Sequence, residues 1–114
     1  MELSEKIKVN GVEVECKVDT GADFLYLSKD VIKKAGLKPL KKIKVKYANG
    51  FEDEKDVFLE DIEIAGCKVP AVVIVEGHHN LLGHNVLQRL GAVIDEQKGE
   101  IKYRVCPSPT AHIG

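Results

Sequence analysis

Val18-Asp19-Thr20-Gly21-Ala22-Asp23 directly follows a run in which Val12, Val14, Cys16 and Val18 alternate with Glu13, Glu15 and Lys17. Alternation of period two marks a half-buried strand, so Asp19 stands where an apolar strand meets a tight turn. Gly21 lets the backbone approach whatever lies opposite, and the Thr20 hydroxyl can brace the turn by bonding to backbone groups. A carboxylate held there is a fixed, partly desolvated acid, the kind that general acid–base chemistry uses. Asp-x-Gly also caps ordinary turns, so the hexapeptide by itself leaves a catalytic and a turn-capping Asp19 both open.

Upstream, the alternation begins at Lys6 and turns at Asn10-Gly11, a pair suited to the positive φ angles of a tight hairpin turn; residues 6–18 are expected to form a β-hairpin. Downstream, Ser28 can cap a short helix, with Asp30 in its first turn, Val31, Ile32 and Ala35 at helical spacing, and Gly36 as a stop. Ile43, Val45 and Tyr47 then alternate with lysines before Asn49-Gly50, which predicts a second hairpin over residues 43–51. Residues 57–64 alternate with a slip at Glu60-Asp61, and residues 69–75 are a β-branched run broken by Pro70-Ala71; both read as strands. After a polar loop at 76–80 come Leu81-Leu82-Gly83, a helical pattern over 85–90 stopped by Gly91, and a last strand pair at 92–95 and 100–105. Strand, glycine turn and short helix thus occur twice, through Val18, Gly21 and Gly36 and again through Val75, Gly83 and Gly91. The expected architecture is all-β, a closed or folded barrel with one or two short helices, in a single domain over residues 1–106 followed by a flexible tail over 107–114.

The composition agrees with this. A chain of 114 residues, 44% hydrophobic and 31% charged, is long enough to bury a core without disulfides or a structural metal. Seventeen basic against 18 acidic residues give no electrostatic footprint for nucleic acid, which is not expected as a partner. No apolar run approaches the roughly 20 residues of a membrane span, and residues 1–8 are too charged for a signal peptide, so no membrane association and a cytoplasmic location are expected. Cys16, Cys67 and Cys106 are an odd number without C-x-x-C spacing, which favours reduced thiols. His78, His79 and His84 lack the spacing of a helical ligand pair; no metal or other cofactor is expected, and the pair reads as a polar loop. Arg89 is expected to complement the last carbonyls of its helix or to stack at the surface.

Two motifs together resemble those of the retropepsins, the aspartic proteases of retroviruses and their cellular relatives. The first is Asp19-Thr20-Gly21-Ala22 followed by the acidic Asp23. The second, Asn80-Leu81-Leu82-Gly83-His84-Asn85-Val86-Leu87-Gln88-Arg89-Leu90-Gly91, is similar to the apolar-apolar-glycine turn and helix near a retropepsin C-terminus. The likeness covers residues 6–105 and has the 43–51 hairpin where the flap belongs. It implies a retropepsin-like barrel and an aspartic endopeptidase whose catalytic elements are Asp19, Thr20 and Gly21. Thr20 would lock two loops together, and Gly21 would accept a substrate backbone hydrogen bond. Ala22, Asp23 and Leu82 would lie against the peptide, and the flap residues Tyr47, Ala48, Asn49, Gly50 and Phe51 would close over it and exclude water. The substrate would lie extended, as an added strand.

Aspartic proteases need two carboxylates about 3 Å apart that share one proton. This chain has one Asp-Thr-Gly, and Asp95, the only later aspartate after an apolar strand, lacks the Thr-Gly that would present it. The enzyme therefore requires a homodimer, with a second Asp19 supplied across a twofold axis and the strand ending at Val105 entering the interface. Two positions depart from the family pattern. His84 stands where an arginine usually pairs with the Asp23 position, so dimer strength is expected to fall toward neutral pH. The tip Asn49-Gly50-Phe51 runs into the acidic Glu52-Asp53-Glu54, which either favours basic peptides or is a solvated hairpin end. The alternatives from other classes are a catalytically silent dimer that binds peptides or serves assembly, and a monomeric β domain in which Asp19 only caps a turn.

Overall fold

A computed structural model describes residues 2–105; the expected flexible tail over 107–114, and Cys106, lie outside the described residues. The elements in chain order are β1 (Ser4–Val9), β2 (Val12–Val18), β3 (Leu25–Ser28), α1 (Lys29–Lys34), β4 (Lys41–Lys46), β5 (Glu52–Ile64), β6 (Cys67–Gly77), β7 (Leu81–Leu82), α2 (His84–Arg89), β8 (Ala92–Asp95) and β9 (Glu100–Tyr103). Seven strands share one sheet in the order β1-β2-β7-β3-β6-β5-β4, and the end of β5 pairs back onto β1 through Ile7↔Ile64 and Val9↔Ile62. The sheet is folded over itself rather than a regular barrel, and β4 hangs from its edge.

Local chemistry accounts for the turns. Asn10 and Gly11 take φ of 48° and 82°, the paired positive angles of a primed hairpin turn, and the Asn10 amide donates to the Ala35 carbonyl at 2.6 Å. The Ser28 hydroxyl accepts from the Val31 N–H at 3.3 Å and so caps α1. The slip anticipated at Glu60-Asp61 is a β-bulge, in which Asp61 alone faces Pro70 and Ala71. Pro70 has no N–H for the ladder, Ala71 swings to φ 50°, and its N–H bonds to the Asp61 carboxylate at 2.8 Å.

The sequence duplication becomes a crossed pairing. β2 of the first unit runs parallel to β7 of the second through Val18↔Leu82, and β6 of the second runs parallel to β3 of the first through Leu25↔Ile74. The two short strands meet each other antiparallel at Tyr26↔Leu81. Behind this crossing lies a core that includes Val9, Cys16, Leu25, Phe58, Leu82 and Leu90, all buried. Each fully buried aliphatic side chain contributes about 1.5–3 kcal/mol relative to exposure.

β8 and β9 form a separate two-stranded sheet. The Tyr103 hydroxyl ties it to β1 by donating to the Glu5 carboxylate at 2.6 Å; burial, with Glu5 beside it, pushes that phenol well above its ordinary range. Cys16 is a buried free thiol, pushed up to about 12 by burial and secondarily by Glu15. Cys67 is disulfide-bonded, which corrects the expectation of reduced thiols throughout. Among the described residues no helix is long and apolar enough to cross a membrane.

Candidate active site

The crossing of the two units creates a clamp around Asp19. The Asp19 N–H donates to the Leu82 carbonyl at 3.0 Å, and the Asp19 carbonyl accepts from the Ala22 N–H at 3.1 Å. One carboxylate oxygen accepts from the Gly21 N–H at 2.9 Å. From the other side, the start of α2 donates into the loop, His84 N–H to Ala22 O at 2.7 Å and Asn85 N–H to Asp23 O at 3.2 Å. Helix N-termini carry N–H groups without partners in their own helix, and here the loop carbonyls satisfy two of them. The packing is possible because residue 83 is glycine, since any Cβ there would overlap the Phe24 carbonyl oxygen. Asp19 itself stays half-buried, beside a cavity of about 170 Å³ that Thr20, Leu3, Ile94 and Glu96 also line.

The second hairpin forms the roof. The Tyr47 N–H bonds to Phe51 O at 2.8 Å and the Gly50 N–H to Tyr47 O at 2.9 Å, with Gly50 at φ 85°. This is a type I turn closed by a left-handed glycine, a three-residue hairpin loop. Tyr47 and Phe51 set their rings 6.3 Å apart, and Tyr47 through Phe51 are all exposed. The acidic run 52–54 begins β5 directly after the tip, with Glu52 and Glu54 exposed. Lys42, Lys44 and Lys46 stand directly opposite Asp56, Glu54 and Glu52 on one face. Lys42 meets Asp56 at 2.8 Å, and that hydrogen bond raises its ammonium above the ordinary lysine value. Unlike charges directly opposite across strands stabilise the pairing.

The other face of the hairpin carries Ile43 opposite Lys55 and Val45 opposite Asp53. It covers a cavity of about 470 Å³ whose floor and far wall include Asp23, Phe24, Tyr26, Val75 and Leu81. Burial pushes the Tyr26 phenol up, with Asp23 and Tyr47 adding to the effect. Asp53 is held below the usual carboxylate range, chiefly by its bond to Lys55, with the Glu54 N–H and His78 contributing.

Asp19, Thr20, Gly21, Ala22 and Asp23 thus share one loop, and Asp23 and Tyr47 meet at the larger cavity; Ala48, Asn49, Gly50 and Phe51 stand at the tip above it. The side chain of Leu82 is fully buried, and its link to the site is the carbonyl that holds Asp19. Leu81, one residue earlier and on the opposite face, lines the cavity. Asn80 was also unanticipated, although it lies in the quoted second motif: its carbonyl accepts from the Lys17 N–H at 2.9 Å and its side chain from the Ser28 N–H at 2.9 Å, bracing both strands that lead to the site. Asp95 is turned away, its carboxylate accepting from the Lys98 N–H at 3.1 Å. Arg89 reaches the Ala71 carbonyl at 3.3 Å instead of the end of its own helix. Among the described residues no group of three His, Cys, Asp or Glu side chains is placed to hold a metal ion.

Among solved structures, the chain is similar to the retroviral protease-like domain of Ddi1 from Leishmania major, with a TM-score of 0.65 and 19% identity over 91% of this chain and 89% of that one, a likeness of fold. A stretch of 64 residues is 36% identical to the type II methyltransferase M.Bsp6I of Bacillus sp. (strain RFL6); it is 52% of this chain and 20% of that protein, so the chain spans about a fifth of the length of this relative. The family model described as "gag-polyprotein putative aspartyl protease" matches residues 6–89, which hold the Asp19 loop, the flap hairpin and the α2 clamp. The chain belongs to this gag-type aspartyl protease family, and its fold is retropepsin-like.

Proposed function

We propose that the chain is a homodimeric aspartic endopeptidase in which one Asp19 from each protomer forms the catalytic pair. The observation that carries this is the isolation of the Asp19 carboxylate in a rigid, half-exposed loop while Asp95, the alternative partner within the chain, caps a turn. Two such carboxylates brought face to face cannot both ionise, so one keeps a proton. The ionised member takes a proton from a water, whose oxygen adds to the substrate carbonyl; the protonated member gives its proton to the carbonyl oxygen. Collapse of the tetrahedral diol breaks the C–N bond as the amine receives a proton from the pair, leaving a carboxylic acid and an amine. Asp23 and the exposed flap tip would hold the peptide backbone extended, and flap closure would exclude water.

The test is cleavage of a diverse peptide mixture between about pH 4 and 7, read by mass spectrometry, for wild type and Asp19→Asn. Cleavage by wild type only is the expected result. Absence of cleavage in both, from protein shown to be dimeric by sedimentation, would replace the protease with a silent peptide-binding dimer.

A further inference from the structure

Lys55 is the least expected side chain in the flap. It stands opposite Ile43 on the inner face of the hairpin, its side chain only 13% exposed, and it lines the roofed cavity together with Phe24, Tyr26, Val45 and Leu81. A lysine this buried normally has its ammonium fully paired. Here its ion pair among the described residues is to Asp53, two residues away on the same face of β5, at 3.3 Å and 44% exposed. An ammonium has three N–H donors, so a single carboxylate leaves capacity that water fills while the cavity is open and that a bound side chain must meet once water is expelled.

The remaining charges set the sign. Glu76 also lines the cavity, but its carboxylate is engaged by Lys29 at 3.6 Å and by the Asp56 N–H at 3.5 Å. Asp23, Lys44, His78 and His79 also line it. Of the acidic residues of β5, Glu52, Glu54 and Asp56 face lysines on the outer side, which leaves Asp53, already paired with Lys55, as the inner-face carboxylate of that run. The cavity is thus an apolar slot with an under-satisfied cation in one wall.

We infer that Lys55 is a specificity-determining residue, and that the slot takes a substrate side chain with an aliphatic stem and an acidic end, glutamate in particular. The apolar walls hold the stem and the ammonium donates to the carboxylate, a charge-assisted pair in a partly desolvated site. This rests on the proposed peptide-binding role of the cleft but not on its catalysis.

The experiment therefore reads binding and cleavage separately. Peptides differing only in one residue, Glu, Gln, Leu or Lys, are titrated against Asp19→Asn protein by fluorescence anisotropy, and the same set is offered to wild type for cleavage. Glu is expected to exceed Lys by roughly tenfold or more. The Glu-to-Leu ratio is expected to collapse in Lys55→Met and to rise in Asp53→Asn, which frees the ammonium without disturbing a buried group. Equal ratios in all three proteins, a preference for Lys, or failure to bind any of the peptides would overturn the inference. A Glu preference that follows Lys55 without any cleavage would sustain it while removing the protease.

Discussion

Gly83→Ala tests whether the α2 clamp builds the catalytic loop. Gly83 caps α2 at φ −99°, an angle open to any residue, so what forbids a side chain is space. A methyl group there would overlap the Phe24 carbonyl oxygen and lie 2.7 Å from that of Ala22. Both atoms are backbone, and neither can move without drawing Asp19–Phe24 away from α2. Overpacking of this kind costs typically 1–3 kcal/mol, and loss of the His84 and Asn85 bonds adds about 1 kcal/mol each. A total of about 3–5 kcal/mol is a third or more of the stability of many small domains. Equilibrium urea unfolding at one fixed protein concentration should place the variant's midpoint about 2 M or more below wild type, with the His84 and Asn85 amides losing hydrogen-exchange protection. Gly21→Ala is the contrast: its Cβ would sit 3.4 Å from the Asp19 carboxylate, an ordinary contact, so a loss below about 1 kcal/mol is expected. A Gly83→Ala protein within about 1 kcal/mol of wild type and with both amides still protected would refute the clamp.

Other consequences can be measured independently. The Cys16 thiol keeps its proton in the folded state up to about 12 against an ordinary 9.0, so the native protein binds more protons than the unfolded chain between those values. Stability should then decline with rising pH, by up to about 1.4 kcal/mol per pH unit, and Cys16→Ala should make that decline shallower; identical slopes would contradict the assignment. In the flap, Lys42→Glu should speed amide exchange in β4 and β5, and adding Asp56→Lys should reverse much of the effect; no reversal would mean the ladder is passive.

Much of the fold was legible because punctuation and periodicity coincide. Asn10-Gly11 can form little other than a primed turn between alternating strands, Ser28 and Gly36 bracket α1, and Pro70 sits where the ladder breaks. The start of β5 was not legible, because Glu52, Asp53 and Glu54 are poor strand formers taken singly, and Glu52 and Glu54 become favourable only opposite Lys46 and Lys44 of β4. Leu81 and Leu82 are equally apolar in sequence. Their opposite destinations, cavity and core, follow from the parity of a two-residue strand whose register is set by partners far along the chain. Lys55 reads as one more surface charge until its alignment with Ile43 turns it inward. Asp19 was singled out from local chemistry, whereas the Leu82 carbonyl and α2 amides that fix it are long-range contacts no spacing reveals.

The most direct test of the shared catalytic pair is a mixing experiment, in which wild-type and Asp19→Asn chains are combined at constant total concentration, allowed to exchange, and assayed on a cleaved peptide. If each site needs one Asp19 from each chain, activity follows the square of the wild-type fraction, falling to about a quarter at equal mixture. A linear decline, with about half the activity remaining, would show that a single chain carries a complete site and would contradict the account.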